Sequence, residues 1–420
     1  MLRFALSPKA DMSIDNLRVA IFNYILSKQK NEELLIRIDD LDKEKTVEDK
    51  DKEVLEILNL FSIEYSRVVL QSENIKYHTG MGMKLLLDRN AFNCFCSDEA
   101  LEQDRIKAKE KGKVYSYSGF CETISDETKF NCNAPFVVRL KKPEGNVKFT
   151  DLLLGEIEYK PYEVDSVIIL GKDKRPTGIF ASAVDDMLFD ISKVITSDEN
   201  LPNTPKEIHI RKAMGYDKEI EYVHIASTNS DISVKSLIDE GYLPAAIANY
   251  LVLLGFDTPK EIFALEEAIE WFDITKLSKE PVKFDMQKLK TINKEHLKSI
   301  DNMRLSKLLG YADDDIGVLA KIYLNELNTI GELKTKIDKI FAAKDKCEAY
   351  EKEYQILKDV LKDMPYIDSF DEFEKMAKEK SALSGEKFSI PFRYALTGDN
   401  DKSKLSEIYP CIKNYLGEIV

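Results

Sequence analysis

The sequence predicts an α/β fold of the doubly wound nucleotide-binding type, split in two by an inserted segment and followed by an all-helical region. Three observations predict it. The chain opens with a short apolar strand, a polar loop and a helix of apolar period four. A continuous apolar run follows, LLIRI at residues 34–38, of the kind found in parallel strands covered on both faces. Beyond Asn229 almost every stretch has helical periodicity, with few Gly or Pro breaks.

The elements follow in order. Residues 2–6 read as a buried strand, SPKADM as a loop, and Leu17, Ile21 and Ile25 as one face of a helix. In such a fold phosphates sit at the start of that helix, where unpaired backbone N–H groups and the helix dipole favour an anion. With the strand at 34–38, residues 1–70 form the first half of the sheet domain. From about 71 to 170 short strands and loops carry cysteines and end in APFVVRLKK and NVKFTDLLLGEIEY, the pattern of an inserted domain. DSVIILGKD, ASAVDDMLFDISKVIT, the helix TPKEIHIRKAMG and the strand IEYVHIAS then resume the sheet, so residues 171–236 form its second half. VKSLIDEG, PAAIANYLVLLG and LEEAIEWF fall in a helical domain, 237–305, and a further α-helical domain spans 306–420. Charged runs such as KTKIDKIFAAKDKCEAYEKEYQILKDVLKD read first as solvated helix faces and only second as partner surfaces.

Bulk composition narrows the function classes. A chain of 420 residues that is 44% hydrophobic can bury several cores, roughly two to four domains. No run reaches the apolar length of a membrane span, and the opening MLRFALSPKADM lacks the basic stretch and apolar core of a signal peptide. A cytoplasmic protein without a membrane partner is the expectation. Cysteines at 94, 96, 121, 132, 347 and 411 are too few and too uneven for a disulfide framework, which fits a reducing compartment. A formal net charge of -14 argues against indiscriminate nucleic-acid binding and against DNA, while a local basic face can still hold RNA.

Collinear stretches then carry a resemblance: RFALSPKADMSIDNLR, RIDDLDKEK, YSRVVLQSENIKYH, CFCSDEALEQ, NAPFVVRLK, AVDDMLFDISKVI, NTPKEIHIRKAMGY, DEGYLPAAIANYLVLLG and VKFDMQKL. Together they resemble the bacterial glutamyl-tRNA synthetases, class I aminoacyl-tRNA synthetases that activate glutamate with ATP and load it onto tRNA. The resemblance implies a split Rossmann-like catalytic domain (1–70 and 171–236) with an inserted connective, acceptor-binding-like domain (71–170). It also implies a helical stem-contact-like domain (237–305) and an α-helical anticodon-binding-like region (306–420).

The departures from the family fall where its chemistry resides. Its His-Ile-Gly signature reads Ser13, Ile14 and Asp15 here, followed by Asn16. Asp15 lies in the first helical turn, where a carboxylate stabilises the helix by a few tenths to about 1 kcal/mol and repels a triphosphate. No histidine is displaced nearby, since the four stand at 78, 209, 224 and 296. The family's Lys-Met-Ser-Lys-Arg loop is missing, because YVHIASTNSDISVKSLIDEGYLP joins the last strand to the next helix directly. The tetrapeptide Lys276-Leu277-Ser278-Lys279 resembles that loop but lies too late in the chain. In the vestigial substrate-binding set, Arg3 and Ser7 remain, with Ser182. Gly178 and Ile179 occupy the segment that carries a substrate-lining tyrosine in the family, Thr196 replaces a carboxylate-gripping arginine, and Asp39 replaces a glutamate. Arg3 is open equally to a purely structural reading.

Cys94 and Cys96 in FNCFCSDE, with Tyr117 and Cys121 in YSYSGFC, are similar in spacing to a zinc site of some family members. Three thiolates and one oxygen suit tetrahedral zinc, and small buried thiols beside a core tyrosine are the alternative.

One donor or cation placed where charge develops is worth roughly a hundredfold to a thousandfold in rate, and several are absent together. The leading expectation is therefore a catalytically inactive pseudo-synthetase that keeps its scaffold to bind a glutamate- or glutamine-type tRNA, an active synthetase or an amidotransferase. Productive ATP and magnesium binding is not expected, and zinc is the one metal considered. Two alternatives stay open: an active glutamate–tRNA ligase with an atypical ATP site, and a decoy or regulator of the active synthetase. Lysines interleaved with apolar anchors in KLKTINKEHLK suit a tRNA backbone.

Overall fold

The computed structural model describes residues 1–42, 47–228, 230–344, 347, 350–399 and 404–420. Lys43, Glu44 and Lys45 at the end of RIDDLDKEK, and Asn229 in the connection after the last strand, lie outside the described residues. The chain forms two compact units, Met1–Lys235 with Leu251–Phe284, and Ser236–Tyr250 with Asp285–Val420.

The first unit is built on β1 (Leu2–Leu6), β2 (Leu34–Ile38), β3 (Arg67–Leu70), β4 (Ala91–Cys94), β5 (Val137–Leu140), β6 (Val147–Asp151), β7 (Gly155–Tyr159), β8 (Ile168–Leu170), β9 (Lys193–Ser197) and β10 (Glu221–Ile225). Seven of these strands form one sheet in the order β3-β2-β1-β9-β10-β6-β7. Pairing is parallel up to β6, and only the β6–β7 hairpin is antiparallel. The strand order reverses between β1 and β9, where Leu2 sits opposite Lys193. In open α/β sheets the crevice beyond the strand ends at such a reversal is the ligand position.

Every residue of β2 is buried, as its unbroken apolar run predicts. Between β1 and β2 runs α1 (Ile14–Lys30), whose Leu17, Ile21 and Ile25 are all buried. It starts at Ser13 and stops at Asn31, which takes the left-handed conformation that closes helices.

The inserted segment divides differently from the sequence expectation. β4, β5 and β8 make a separate antiparallel sheet, whereas β6 and β7 join the main one. The reason is packing: β6 alternates strictly between buried and exposed residues, and its Phe149 clusters with Ile191, Val194 and Tyr222 of the main sheet domain. The stretch 237–305, one helical domain by sequence, is likewise divided, with Leu251–Phe284 in the first unit. There Phe272 stacks on Phe22 of α1 at 4.9 Å.

The second unit is helical. Its helices include Met286–Ser299, Asn302–Leu308, Asp314–Tyr323, Ile330–Phe341, Glu351–Lys362, Phe370–Ser381, Glu386–Thr397 and Leu405–Ile412. They share one core containing Leu305, Leu319, Ile337, Leu357, Phe373, Phe392 and Tyr409. Among the described residues, no helix is long and apolar enough to cross a membrane.

Candidate functional site

The start of α1 is closed by its own residues. The Ser13 hydroxyl accepts from the Asn16 backbone N–H at 3.2 Å, while the Asn16 side chain accepts from the Ser13 backbone N–H at 3.3 Å. This capping box satisfies N–H groups that a helix start otherwise offers to a ligand. Asp15 points both carboxylate oxygens at the Thr228 backbone N–H, 3.1 Å from each. Ile14 is fully buried, and its N–H donates to Ile232 O at 3.1 Å. Ser13 and Ser233 form an isolated antiparallel bridge, and the Val234 N–H donates to Met12 O at 2.8 Å. The short connection from β10 to the helix Val234–Asp239 thus runs against the first turn of α1.

The nearest cation on α1 is engaged elsewhere. Arg18 is buried and donates to Ala226 O at 2.9 Å and Leu254 O at 2.6 Å. Burial pushes its pKa down to about 10, with Asp15 opposing, so it stays charged at neutral pH. The tetrapeptide 276–279 sits in a turn, where the Ser278 N–H donates to Gly255 O at 2.7 Å and Lys276 pairs with Asp273 at 3.6 Å.

At the β1/β9 reversal lies a polar cavity of about 190 Å³. It gathers Arg3, Asp39, Ser182 and Thr196 from the expected set, with Ile179. Gly178 opens the helix Gly178–Leu188 but does not line the cavity, and Ser7 acts from behind by donating to Asp39 O at 3.1 Å. The cavity also recruits Arg37, Asn200, Asn203, Thr204 and Glu207, which sequence reasoning missed. Buried Asp186 binds the two arginines together: Arg3 donates to it at 2.8 and 3.1 Å, and Arg37 at 3.1 Å. Arg37 also donates to Asp39 at 2.6 Å and to the Ser182 hydroxyl at 2.8 Å. Burial alone would raise the Asp186 pKa, but the charges of Arg3 and Arg37 outweigh it and hold the carboxylate below its usual range. The signal for this cluster was present in the chain. Arg37 interrupts the apolar run LLIRI and Asp186 the apolar AVDDML, and charges in such places are buried in pairs.

The cysteine cluster assembles as its spacing implied. The sulfurs of Cys94, Cys96 and Cys121 all lie within 4.8 Å of one another, with Cys96 and Cys121 at 3.5 Å. The Tyr117 hydroxyl is 3.5 Å from both Cys94 and Cys96. Tetrahedral zinc, with bonds of about 2.3 Å to sulfur and about 2.0 Å to oxygen, spaces its donors by roughly 3.5–3.8 Å, so this donor set fits the ion. Burial pushes Cys96 up to about 11, whereas at Cys94 burial is outweighed by hydrogen bonds from Tyr117 and the Cys96 backbone and by Arg139. The Arg139 guanidinium lies 4.5 Å from the Tyr117 ring centre and favours the ionised Cys94 thiol, whereas burial and hydrogen bonds with the three thiols push the Tyr117 hydroxyl well above its usual value.

Comparison with known proteins places this geometry in a family. The model of the catalytic domain of class I tRNA synthetases (E and Q) matches residues 1–291. A relative from Nitratiruptor sp., named glutamate–tRNA ligase 1, is 49% identical with all of both chains covered. The chain belongs to the class I glutamyl-tRNA synthetase family. A Campylobacter jejuni relative named glutamate–tRNA ligase 1 is 46% identical, covering 100% of this chain and 99% of that one. The fold of this synthetase-family chain matches a solved glutamate tRNA ligase from Elizabethkingia meningosepticum with a TM-score of 0.79, at 20% identity and over 99% of this chain and 97% of that one.

Proposed function

We propose that this chain is a tRNA-binding member of the glutamyl-tRNA synthetase family that does not activate glutamate with ATP. The observation that supports this reading is the closed start of α1, where Asp15 accepts the Thr228 amide with both oxygens and Ser13 and Asn16 cap the first turn. A carboxylate occupies the position of highest positive helix potential, so a triphosphate arriving there meets repulsion and filled donors. Each donor missing from the developing charge costs roughly a hundredfold to a thousandfold in rate. On this reading the partner is a glutamate- or glutamine-type tRNA in the cytoplasm, and an active synthetase or an amidotransferase is the protein counterpart.

A second reading is favoured by the comparisons: a working glutamate–tRNA ligase with a rebuilt nucleotide site. Relatives bearing that name match the whole chain at 46–49% identity. ATP–pyrophosphate exchange, run with glutamate and cognate tRNA, separates the two. The first reading expects no exchange above background. Exchange within about a hundredfold of an intact family enzyme, the cost of one lost donor, would establish the second.

Cys94, Cys96, Tyr117 and Cys121 would hold a structural zinc ion on either reading, locking β4 to the turn Phe120–Glu122. Metal analysis of protein purified without chelator should return close to one zinc per chain, and Cys96→Ala should lose it. Protein that folds with no metal supports the buried-thiol alternative.

A further inference from the structure

The turn after the short helix Pro161–Val164 is held in a conformation that its residue type does not favour. Asp165 has φ 65° and ψ -178°, a region of backbone space that is essentially reserved for glycine. Glycine would adopt it without strain, so what an aspartate supplies there is its carboxylate. That carboxylate is fully used. Its two oxygens accept the Tyr117 backbone N–H at 2.9 and 3.1 Å, and one of them also accepts the Ser116 hydroxyl at 3.1 Å. Lys142 stands 3.5 Å from Asp165 and donates to Ser116 Oγ at 2.8 Å and to the Tyr117 carbonyl.

Tyr117 is thus gripped at its N–H and at its C=O by side chains 48 and 25 residues further along the chain. Residues 113–119 around it have no helix or strand of their own. The same turn fixes the ring. Ser166, next in sequence and buried, accepts from Arg139 Nη1 at 2.9 Å, and this guanidinium covers the Tyr117 ring. Asp165 and Ser166 together set the backbone and the face of the tyrosine whose hydroxyl stands 3.5 Å from the Cys94 and Cys96 sulfurs and accepts the Cys121 N–H at 3.0 Å. Outer groups that orient a metal ligand in this way are worth about tenfold to a hundredfold in metal affinity.

We propose that Asp165 is the positioning residue of the cysteine site, fixing the Tyr117 oxygen as the fourth donor for a tetrahedral, thiophilic divalent cation such as zinc. The turn keeps its strain because the carboxylate reaches Tyr117 only from there. This inference rests on the zinc reading, and a double-variant cycle separates its failure from the failure of that reading.

Zinc affinity of the full chain, measured by competition with a chromophoric chelator, provides the test for wild type, Asp165→Asn, Tyr117→Phe and the double variant. Each single change should weaken zinc binding by about tenfold to a hundredfold. In the Tyr117→Phe background Asp165→Asn should cost no more than about a further twofold, since both act through one donor. Asp165→Gly, which suits the backbone but removes both acceptors, should bind no more tightly than Asp165→Asn. With cobalt(II) in place of zinc, the visible bands of tetrahedral coordination should weaken in Asp165→Asn while circular dichroism stays unaltered, which a loss of stability alone would not produce. Wild-type affinity in Asp165→Asn, Asp165→Gly or Tyr117→Phe, or losses that add in the double variant, would each overturn the positioning role. A wild-type chain that takes up neither zinc nor cobalt would remove the metal reading and the proposal together.

Discussion

Asp186 is the residue on which the sheet end depends. It is fully buried and joins two arginines that are themselves buried, Arg3 and Arg37. Removing one partner of such a cluster strands charge in a low-dielectric interior and costs about 3–5 kcal/mol. Asp186→Asn should therefore lower unfolding free energy by about that amount at neutral pH, read by denaturant titration. The pH dependence follows from the direction of the shift. The Asp186 pKa is depressed in the folded state by Arg3 and Arg37 against the opposing effect of burial. Its contribution is complete above the unfolded carboxylate value of about 3.9 and disappears as pH falls through the lower native value. The gap between wild type and Asp186→Asn should accordingly close on acidification, and a gap that persists unchanged at low pH would contradict the assignment. At this scale the sequence was half legible. Arg3, Asp39, Ser182 and Thr196 could be named from family-like stretches, and Arg37 and Asp186 stand out as charges in apolar runs, but that these two meet could not be read, because it arises from the approach of β2 and the helix Gly178–Leu188, distant in sequence.

Elements pack where glycine permits, and the clearest case is in the second unit. A Cβ on Gly317, in the helix Asp314–Tyr323, would stand 2.0 Å from the backbone oxygen of Asn302, which opens the helix Asn302–Leu308. Neither partner is a flexible side chain, so the two helices must separate to admit even one methyl group. Overpacking of this kind costs about 1–3 kcal/mol, and Gly317→Ala should shift the denaturation midpoint while leaving the m-value unchanged. A midpoint equal to wild type would mean that the helices are less tightly apposed. Element existence was largely legible, since β1, β2 and the start of the helix at Thr204 fall where apolar runs and period placed them. The β6–β7 hairpin shows what was not: alternation in VKFTD marks one buried face, but nothing local says which sheet will cover it.

For the whole molecule, charge is the constraint on any RNA partner. With 61 Lys and Arg against 75 Asp and Glu, the chain as a whole repels a polyanion, though salt screens that repulsion beyond about 8 Å at physiological ionic strength. Binding of tRNA must then rest on local cations that touch phosphate and release counterions. The helix Met286–Ser299 offers such a surface: Leu289, Ile292 and Leu297 are buried, while Lys288 and Lys298 are exposed. Raising salt acts in two directions, weakening the long-range repulsion and opposing counterion release. Release dominates for lysines that touch phosphate, at about 0.7–0.9 in log–log slope per neutralised phosphate. Affinity for a glutamate-type tRNA, measured by fluorescence anisotropy, should therefore fall steadily from 50 to 200 mM salt, a range over which about three neutralised phosphates cost more than tenfold. Replacing Lys288 and Lys298 together by Ala should weaken binding and reduce the slope by one to two, about one for each phosphate no longer neutralised. A salt-independent affinity, or a double variant with an unaltered slope, would move the RNA interface away from this helix.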